Sequence, residues 1–327
     1  MPDAWDFTTS RRTASPLPLI TYGLAALCVL FTLAHWTVHA SPLCARIDAV
    51  VAPTADQIWD GAYWGLVTTV FVHGDVVHIL FDVLYLVQLG RAMELQMSPW
   101  AYIGFVIAAA AVSQGCEIAI LGDAGIGASG VVYAMFGLMW IGRYRYRSWG
   151  DVANQQNMVV MLIWGVYCIF STVAGFMLVA NAAHFGGLLF GLAAGWLFLA
   201  PRRKLVWAAP MTGLVLLTAV SLFWLPWSNA WLFYRAGKRF DAKDYRGAIA
   251  LYHRSLRLGG DRYDNWENIR RAWLHIAVDA AQRSAEDEEA EALRQAESAQ
   301  RLEGPDPVQE RAARSAEPTL HVPGRKR

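Results

Sequence analysis

The run Gly127-Ala128-Ser129-Gly130-Val131-Val132-Tyr133 sets one serine between small residues at the head of an apolar segment that continues to Ile141. Read as a membrane-embedded helix, the segment places the Ser129 hydroxyl at the helix N-terminus, where polar groups are unusual. N–H groups at a helix start carry partial positive charge and favour an anion forming beside them, and glycines let a backbone or a substrate come close. A nucleophile profits from both. The same residues also make the kind of Gly/Ser face by which membrane helices pack closely, so the rest of the chain must decide between the two readings.

Working outward, the composition settles the environment first. Of 327 residues, 55% are hydrophobic and 17% charged, 15 are tryptophan, and the mean hydropathy is +0.28. Such averages come from long apolar runs, which identifies a polytopic, all-α membrane protein embedded in a lipid bilayer. The net charge of +1 with no basic tract gives no basis for nucleic-acid binding. Cys28, Cys44, Cys116 and Cys168 are too scattered for a metal centre or a disulfide framework, although Cys44 and Cys116 fall on the same side of the bilayer.

Seven runs are apolar enough to cross a bilayer, at about 17–40, 76–95, 99–121, 127–142, 158–177, 181–200 and 205–227. With residues 1–16 cytoplasmic, the inner connections hold Arg11, Arg12, Arg91, Arg143, Arg145, Arg147, Arg202, Arg203 and Lys204, whereas the short outer ones hold only Arg46. That asymmetry sets a cytoplasmic N-terminus and an extracytoplasmic C-terminus. The basic residues Arg235 to Arg246 oppose this, but charge in a long domain orients a chain weakly. The outer connection 41–72 carries Trp59, Tyr63 and Trp64, aromatic residues suited to resting at headgroup level.

Ionisable residues inside spans are costly and therefore functional candidates. His73, His78 and Asp82 stand at the opening of the second span, with His78 and Asp82 on one helical face. His184 opens the sixth, ahead of Gly187, Gly191 and Gly195 at intervals of four. Spans two, four and six run in the same direction, so His78, Ser129 and His184 share one depth near the outer surface. A neutral imidazole within reach of a helix-start serine is the minimum for activating a hydroxyl nucleophile. His78, Asp82 and His73 also suggest a metal site, but no further Glu, Asp or Cys at suitable spacing completes one, and no metal is expected. A backbone-bonded structural role suits His73 better than a catalytic one.

Gly127-x-Ser129-Gly130 with Tyr133, Ala183-His184 followed by Gly187 and Gly191, and His73-x4-His78 together resemble the rhomboid family of intramembrane serine proteases, over about residues 60–200. The resemblance implies a six-helix core with Ser129 as nucleophile and His184 as base of a dyad. Tyr133 would pack on the imidazole, Gly127 and Gly130 would support the serine, and the Ser129 amide and His78 would hold the oxyanion. Glu94 would be the family's structural glutamate. No cofactor is implied, and substrates would be single transmembrane helices entering laterally and cut near their outer ends, with span five and the loop 178–183 as the gate. A bacterial inner membrane follows from the same likeness. Two positions depart from the family pattern. Asp82 stands where asparagine is usual and, when ionised, cannot donate to an oxyanion; losing one such donor costs about a hundredfold to a thousandfold in rate. Gly65 stands where arginine is common. The alternative is a weak or inactive rhomboid-like protein that binds membrane clients.

The expected organisation is a cytoplasmic N-terminus over 1–16, the catalytic core over 17–204, an added seventh span over 205–227, a helical domain over 228–303 and a disordered tail over 304–327. Within the helical domain, Asp244 to Leu256 resembles the second helix of a tetratricopeptide repeat, with Ala236, Gly237 and Phe240 in the first helix and Trp266 to Ala281 as a second layer. Such a domain implies an extracytoplasmic peptide or protein partner.

Overall fold

Short polar residues punctuate the apolar sequence and fix where its helices begin. The Ser98 hydroxyl accepts the Ala101 amide at 3.3 Å ahead of Pro99, Asp75 accepts the His78 amide at 2.9 Å, and Asn154 accepts the Asn157 amide at 2.9 Å. Each satisfies an N–H that the first helical turn leaves without an intrahelical partner. The computed structural model describes residues 17–38, 41–176, 179–199 and 204–303. The expected cytoplasmic N-terminus and disordered tail lie outside these residues, as do Arg202, Arg203 and the start of the loop 178–183.

The helices are α1 (Leu19–Trp36), α2 (Pro42–Val51), α3 (Ala55–Trp59), α4 (Gly65–Thr68), α5 (Val76–Glu94), α6 (Pro99–Leu121), α7 (Ser129–Gly142), α8 (Arg147–Val152), α9 (Gln155–Val173), α10 (Asn181–Leu199), α11 (Lys204–Phe223), α12 (Asn229–Asp241), α13 (Tyr245–Arg257), α14 (Arg262–Gln282) and α15 (Glu286–Glu303). The chain divides into two compact units between Leu225 and Pro226.

In the first unit, six helices among the described residues are long and apolar enough to cross a membrane: α1, α5, α6, α9, α10 and α11. The protein is an integral, multi-pass, all-α membrane protein. The fourth apolar run departs from expectation. Its helix begins at Ser129 and has 14 residues, about 21 Å at 1.5 Å per residue, against a hydrocarbon layer of about 30 Å. The loop that precedes Ser129 has backbone groups satisfied by protein. The Gly125 amide donates to Gln114 Oε1 at 3.0 Å and the Gly127 amide to the Thr69 carbonyl at 3.2 Å.

The spanning windows of α6 and α10 are 67% and 50% buried, whereas those of α1, α9 and α11 are 22%, 17% and 11% buried. α6, α7 and α10 therefore form the centre and the others the lipid-facing rim. α7 and α10 meet backbone to backbone. A Cβ on Gly187 would fall on the Gly130 carbonyl oxygen, one on Gly191 would fall on that of Ala134, and one on Gly137 would lie 2.7 Å from the Leu188 carbonyl oxygen. Glu94 accepts the Ile20 and Thr21 amides at 3.0 and 2.8 Å and the Thr21 hydroxyl at 2.7 Å. A carboxylate at the end of α5 thus caps the start of α1, where negative charge is favoured.

The connection 41–72 folds into α2, α3, α4 and a short 3₁₀ turn at Thr69–Phe71. Tyr63 and Trp64 are exposed, as interfacial anchors would be, but Trp59 is buried and donates to the Ser221 carbonyl of α11 at 2.9 Å. A Cβ on Gly65 would clash with Pro53 and lie 3.0 Å from Ile58, so a larger residue has no room there. All four cysteines are free, with Cys116 buried inside α6, so no bridge joins it to Cys44.

The second unit packs α13 against both α12 and α14, and α14 against α15, around Ala236, Ile249, Tyr252, Ile269 and Ile276. Its helices are amphipathic, and the span Trp266 to Ala281 lies within α14.

Candidate active site

The glycine contact between α7 and α10 determines what meets at their N-terminal ends. Ser129 is the first residue of α7 and His184 lies in the first turn of α10, and His184 Nε2 stands 2.7 Å from Ser129 Oγ. Both side chains are buried. Among the described residues His184 Nδ1 has no hydrogen-bond partner, so no carboxylate orients the ring. Packing does so instead: the Tyr133 ring, one turn below Ser129, stacks on the imidazole with centroids 4.9 Å apart and planes at 20°. The Tyr133 hydroxyl donates to the Met161 carbonyl of α9 at 2.8 Å, which holds the ring in place.

Gly130 provides the close approach behind Ser129, since a Cβ there would lie 2.7 Å from Ser113 and 3.2 Å from the Ala183 carbonyl oxygen. Gly127 has φ +106°, a conformation that favours glycine, and a Cβ on it would fall on the His78 imidazole. His78 therefore lies against the loop that delivers Ser129. Asp82, on the same face of α5, has Oδ2 3.4 Å from His78 Nε2 and 3.1 Å from His73 Nε2. His73 is fully buried and reaches α1 and the loop before Ser129: Nδ1 is 3.0 Å from Thr32 Oγ1, its carbonyl accepts Trp36 Nε1–H at 2.9 Å, and Nε2 accepts the Ala128 amide at 3.3 Å. Its backbone bonding agrees with a structural role, but its ring reaches the loop beside Ser129.

A narrow cleft beside Ser129 is lined by Phe81, Asp82 and Tyr85 of α5 and by Met161 and Trp164 of α9. Its lateral side is closed where Phe81 and Trp164 stack at 4.4 Å. α9 is held loosely, burying only Met161, Cys168 and Ser171. Its C-terminal end is tied to the start of α10 by Thr172, which accepts from Asn181 Nδ2 at 2.9 Å and from the Val179 amide at 3.3 Å.

One residue of the site was not singled out from the sequence. Glu117, buried in α6, accepts the Ala183 amide at 2.9 Å and so caps the start of α10 next to His184. The signal was available, because it is an ionisable residue inside a span. Gln114, three residues earlier, holds the descending loop and carried no comparable signal.

Residues 60–201 match the family model described as the Rhomboid domain. The chain is 28% identical over 196 residues to the rhomboid protease GlpG of Salmonella choleraesuis strain SC-B67 and to that of Salmonella newport strain SL254, covering 60% of this chain and 68% of each relative. It is 31% identical over 149 residues to the GlpG of Salmonella paratyphi A, covering 46% of this chain and 53% of that protein. The part of the membrane unit that holds the serine and histidine at paired helix starts thus carries a match to the Rhomboid domain.

Proposed function

We propose that the protein is an intramembrane serine endopeptidase that cleaves single transmembrane helices near their outer ends. The observation that carries this is the 2.7 Å contact between His184 Nε2 and Ser129 Oγ, both buried at the starts of helices locked together by glycines. In the mechanism this supports, Ser129 Oγ attacks the scissile carbonyl while His184 Nε2 takes its proton. The oxyanion is held by the Ser129 amide and by His78. His184 then protonates the leaving amine, and water hydrolyses the acyl-enzyme by the same route in reverse. Names of relatives such as the GlpG proteases support the activity, and the bacterial inner membrane is proposed from the same likeness. Arginines in the inner connections support the proposed cytoplasmic N-terminus and extracytoplasmic C-terminus. The tetratricopeptide-like pattern supports reading the second unit as a module for an extracytoplasmic peptide or protein.

The test is labelling of the full-length protein in membranes with a fluorophosphonate probe. Wild type labels and Ser129→Ala does not. A folded wild type that fails to label would favour the second reading, a rhomboid-like client-binding protein silenced at Asp82, whose carboxylate occupies the usual place of an asparagine donor.

The lateral route follows from the same cleft. Parting α5 from α9 is resisted by the Phe81–Trp164 stack, worth about 1 kcal/mol beyond its buried area. Trp164→Val is expected to raise cleavage of a transmembrane substrate about fivefold while leaving labelling by a small fluorophosphonate within about twofold, as the equivalent of that energy in rate. Equal effects on both substrates would show that the stack does not control access.

A further inference from the structure

His73, His78 and Asp82 bring two imidazoles and one carboxylate together, with His73 and Asp82 buried and His78 partly exposed. His73 Nδ1 is 3.0 Å from Thr32 Oγ1, the Thr32 hydroxyl is placed to donate to the Phe71 carbonyl at 3.3 Å, and the Ala128 amide donates to His73 Nε2 at 3.3 Å. One tautomer satisfies all three contacts: Nδ1 carries the proton and donates to Thr32, and Nε2 presents its lone pair. That lone pair then faces Asp82 Oδ2 at 3.1 Å. In that tautomer a proton or a metal ion between the two acceptors relieves their contact, taking the one Nε2 lone pair in place of the Ala128 amide.

The distances suit a metal. Four ligands about 2.0–2.1 Å from a tetrahedral zinc ion stand about 3.3 Å from one another. Asp82 Oδ2 is 3.1 Å from His73 Nε2 and 3.4 Å from His78 Nε2. All three ligand atoms lie within 4.8 Å of each other, and the His78 ring is partly exposed. Two imidazoles and one carboxylate with an open fourth position form a donor set that zinc accepts, and the hydrogen bond from His73 Nδ1–H to Thr32 is the outer-shell contact that a ligating histidine needs. The His73 and Asp82 side chains are 0% and 6% exposed and already positioned, while His78, at 26%, offers a way in.

We propose that His73, His78 and Asp82 bind a divalent transition-metal ion, with Zn2+ the best chemical match, and that the bound ion withdraws His78 from the oxyanion and so restrains Ser129. The aspartate makes the site, because a neutral amide at position 82 removes its anionic ligand. The binding half stands independently of the proposed protease activity, whereas the restraining half rests on it.

The experiment titrates the full-length Ser129→Ala protein in detergent with Co2+, following the visible absorption of the bound ion, and then displaces it with Zn2+. Saturable binding of one ion per chain is expected, weakened about tenfold to a hundredfold in Asp82→Asn and also in Thr32→Val, which removes only the outer-shell partner. In parallel, Zn2+ should slow fluorophosphonate labelling of Ser129 in wild type by about a hundredfold, the cost of one lost oxyanion donor, and should leave the labelling of Asp82→Asn insensitive to zinc. Absence of Co2+ binding in folded protein, or equal binding by Asp82→Asn, overturns the site. Binding without any slowing of labelling overturns the restraint alone. Failure of wild type to label without metal counts against the protease reading and leaves the binding result to decide the site.

Discussion

His184→Ala is expected to lower cleavage of a transmembrane substrate by about 10⁴ to 10⁶-fold, since removing the base of a serine nucleophile costs about as much as removing the nucleophile itself. The magnitude follows from the geometry. Ser129 Oγ is 2.7 Å from His184 Nε2, and among the described residues that ring has no other hydrogen-bond partner. With the imidazole gone, the hydroxyl must lose its proton inside a buried pocket with no base in its place. The Tyr133 ring remains anchored to Met161, so the helices are expected to stay assembled. Single-turnover cleavage in proteoliposomes, read with a thermal unfolding midpoint in micelles, separates chemistry from folding. A folded variant that keeps most of the wild-type rate would place the base elsewhere.

Gly191→Leu is expected to abolish both activity and the native fold of the membrane unit. A Cβ at position 191 would already fall on the Ala134 carbonyl oxygen, which belongs to helix backbone and has nowhere to move. Overpacking a side chain into a tight interior costs about 1–3 kcal/mol when neighbours yield, and here the whole of α10 would have to move away from α7. Ser129 and His184 sit at the ends of these two helices and would separate with them. Gly104→Leu is the control, because a Cβ on Gly104 meets nothing within 4 Å. Unfolding curves in mixed micelles should show a collapse for Gly191→Leu and little change for Gly104→Leu. A stable Gly191→Leu that still labels would mean that the contact between the helices is not what holds the two residues together.

The parts of this architecture that were legible in the sequence are those written in local periodicity. Apolar runs gave the spans, and glycines at intervals of four gave the close face of α10. The shared direction of three spans put Ser129 and His184 at one expected depth, and in the structure the two side chains are 2.7 Å apart. Features that depend on distant contacts were less legible. Hydropathy over a window does not fix where a helix begins, so the run read as 127–142 proves to be a shorter helix that starts at Ser129. Trp59 reads as an interfacial aromatic until Ser221, 162 residues away, accepts its N–H. His73 reads as a loop histidine because its ring contacts come from Thr32, Asp82 and Ala128, on three different segments. Glu117 was visible as a charge in a span, but its use as a cap for α10 depends on a pairing that only the fold creates.

The glycine contact between α7 and α10 also separates chemistry from the bilayer that surrounds it. Two backbones in direct contact act as a fixed caliper, and the spacing between Ser129 and His184 is set by main-chain atoms without an intervening layer of side chains. The rim helices α1, α9 and α11 present most of their surface to lipid and are the ones that tilt when the membrane thickens or thins. On the proposed protease reading, lipid composition would act on how substrates arrive and depart, through α9, while the intrinsic reactivity of the serine would stay the same from one membrane to another.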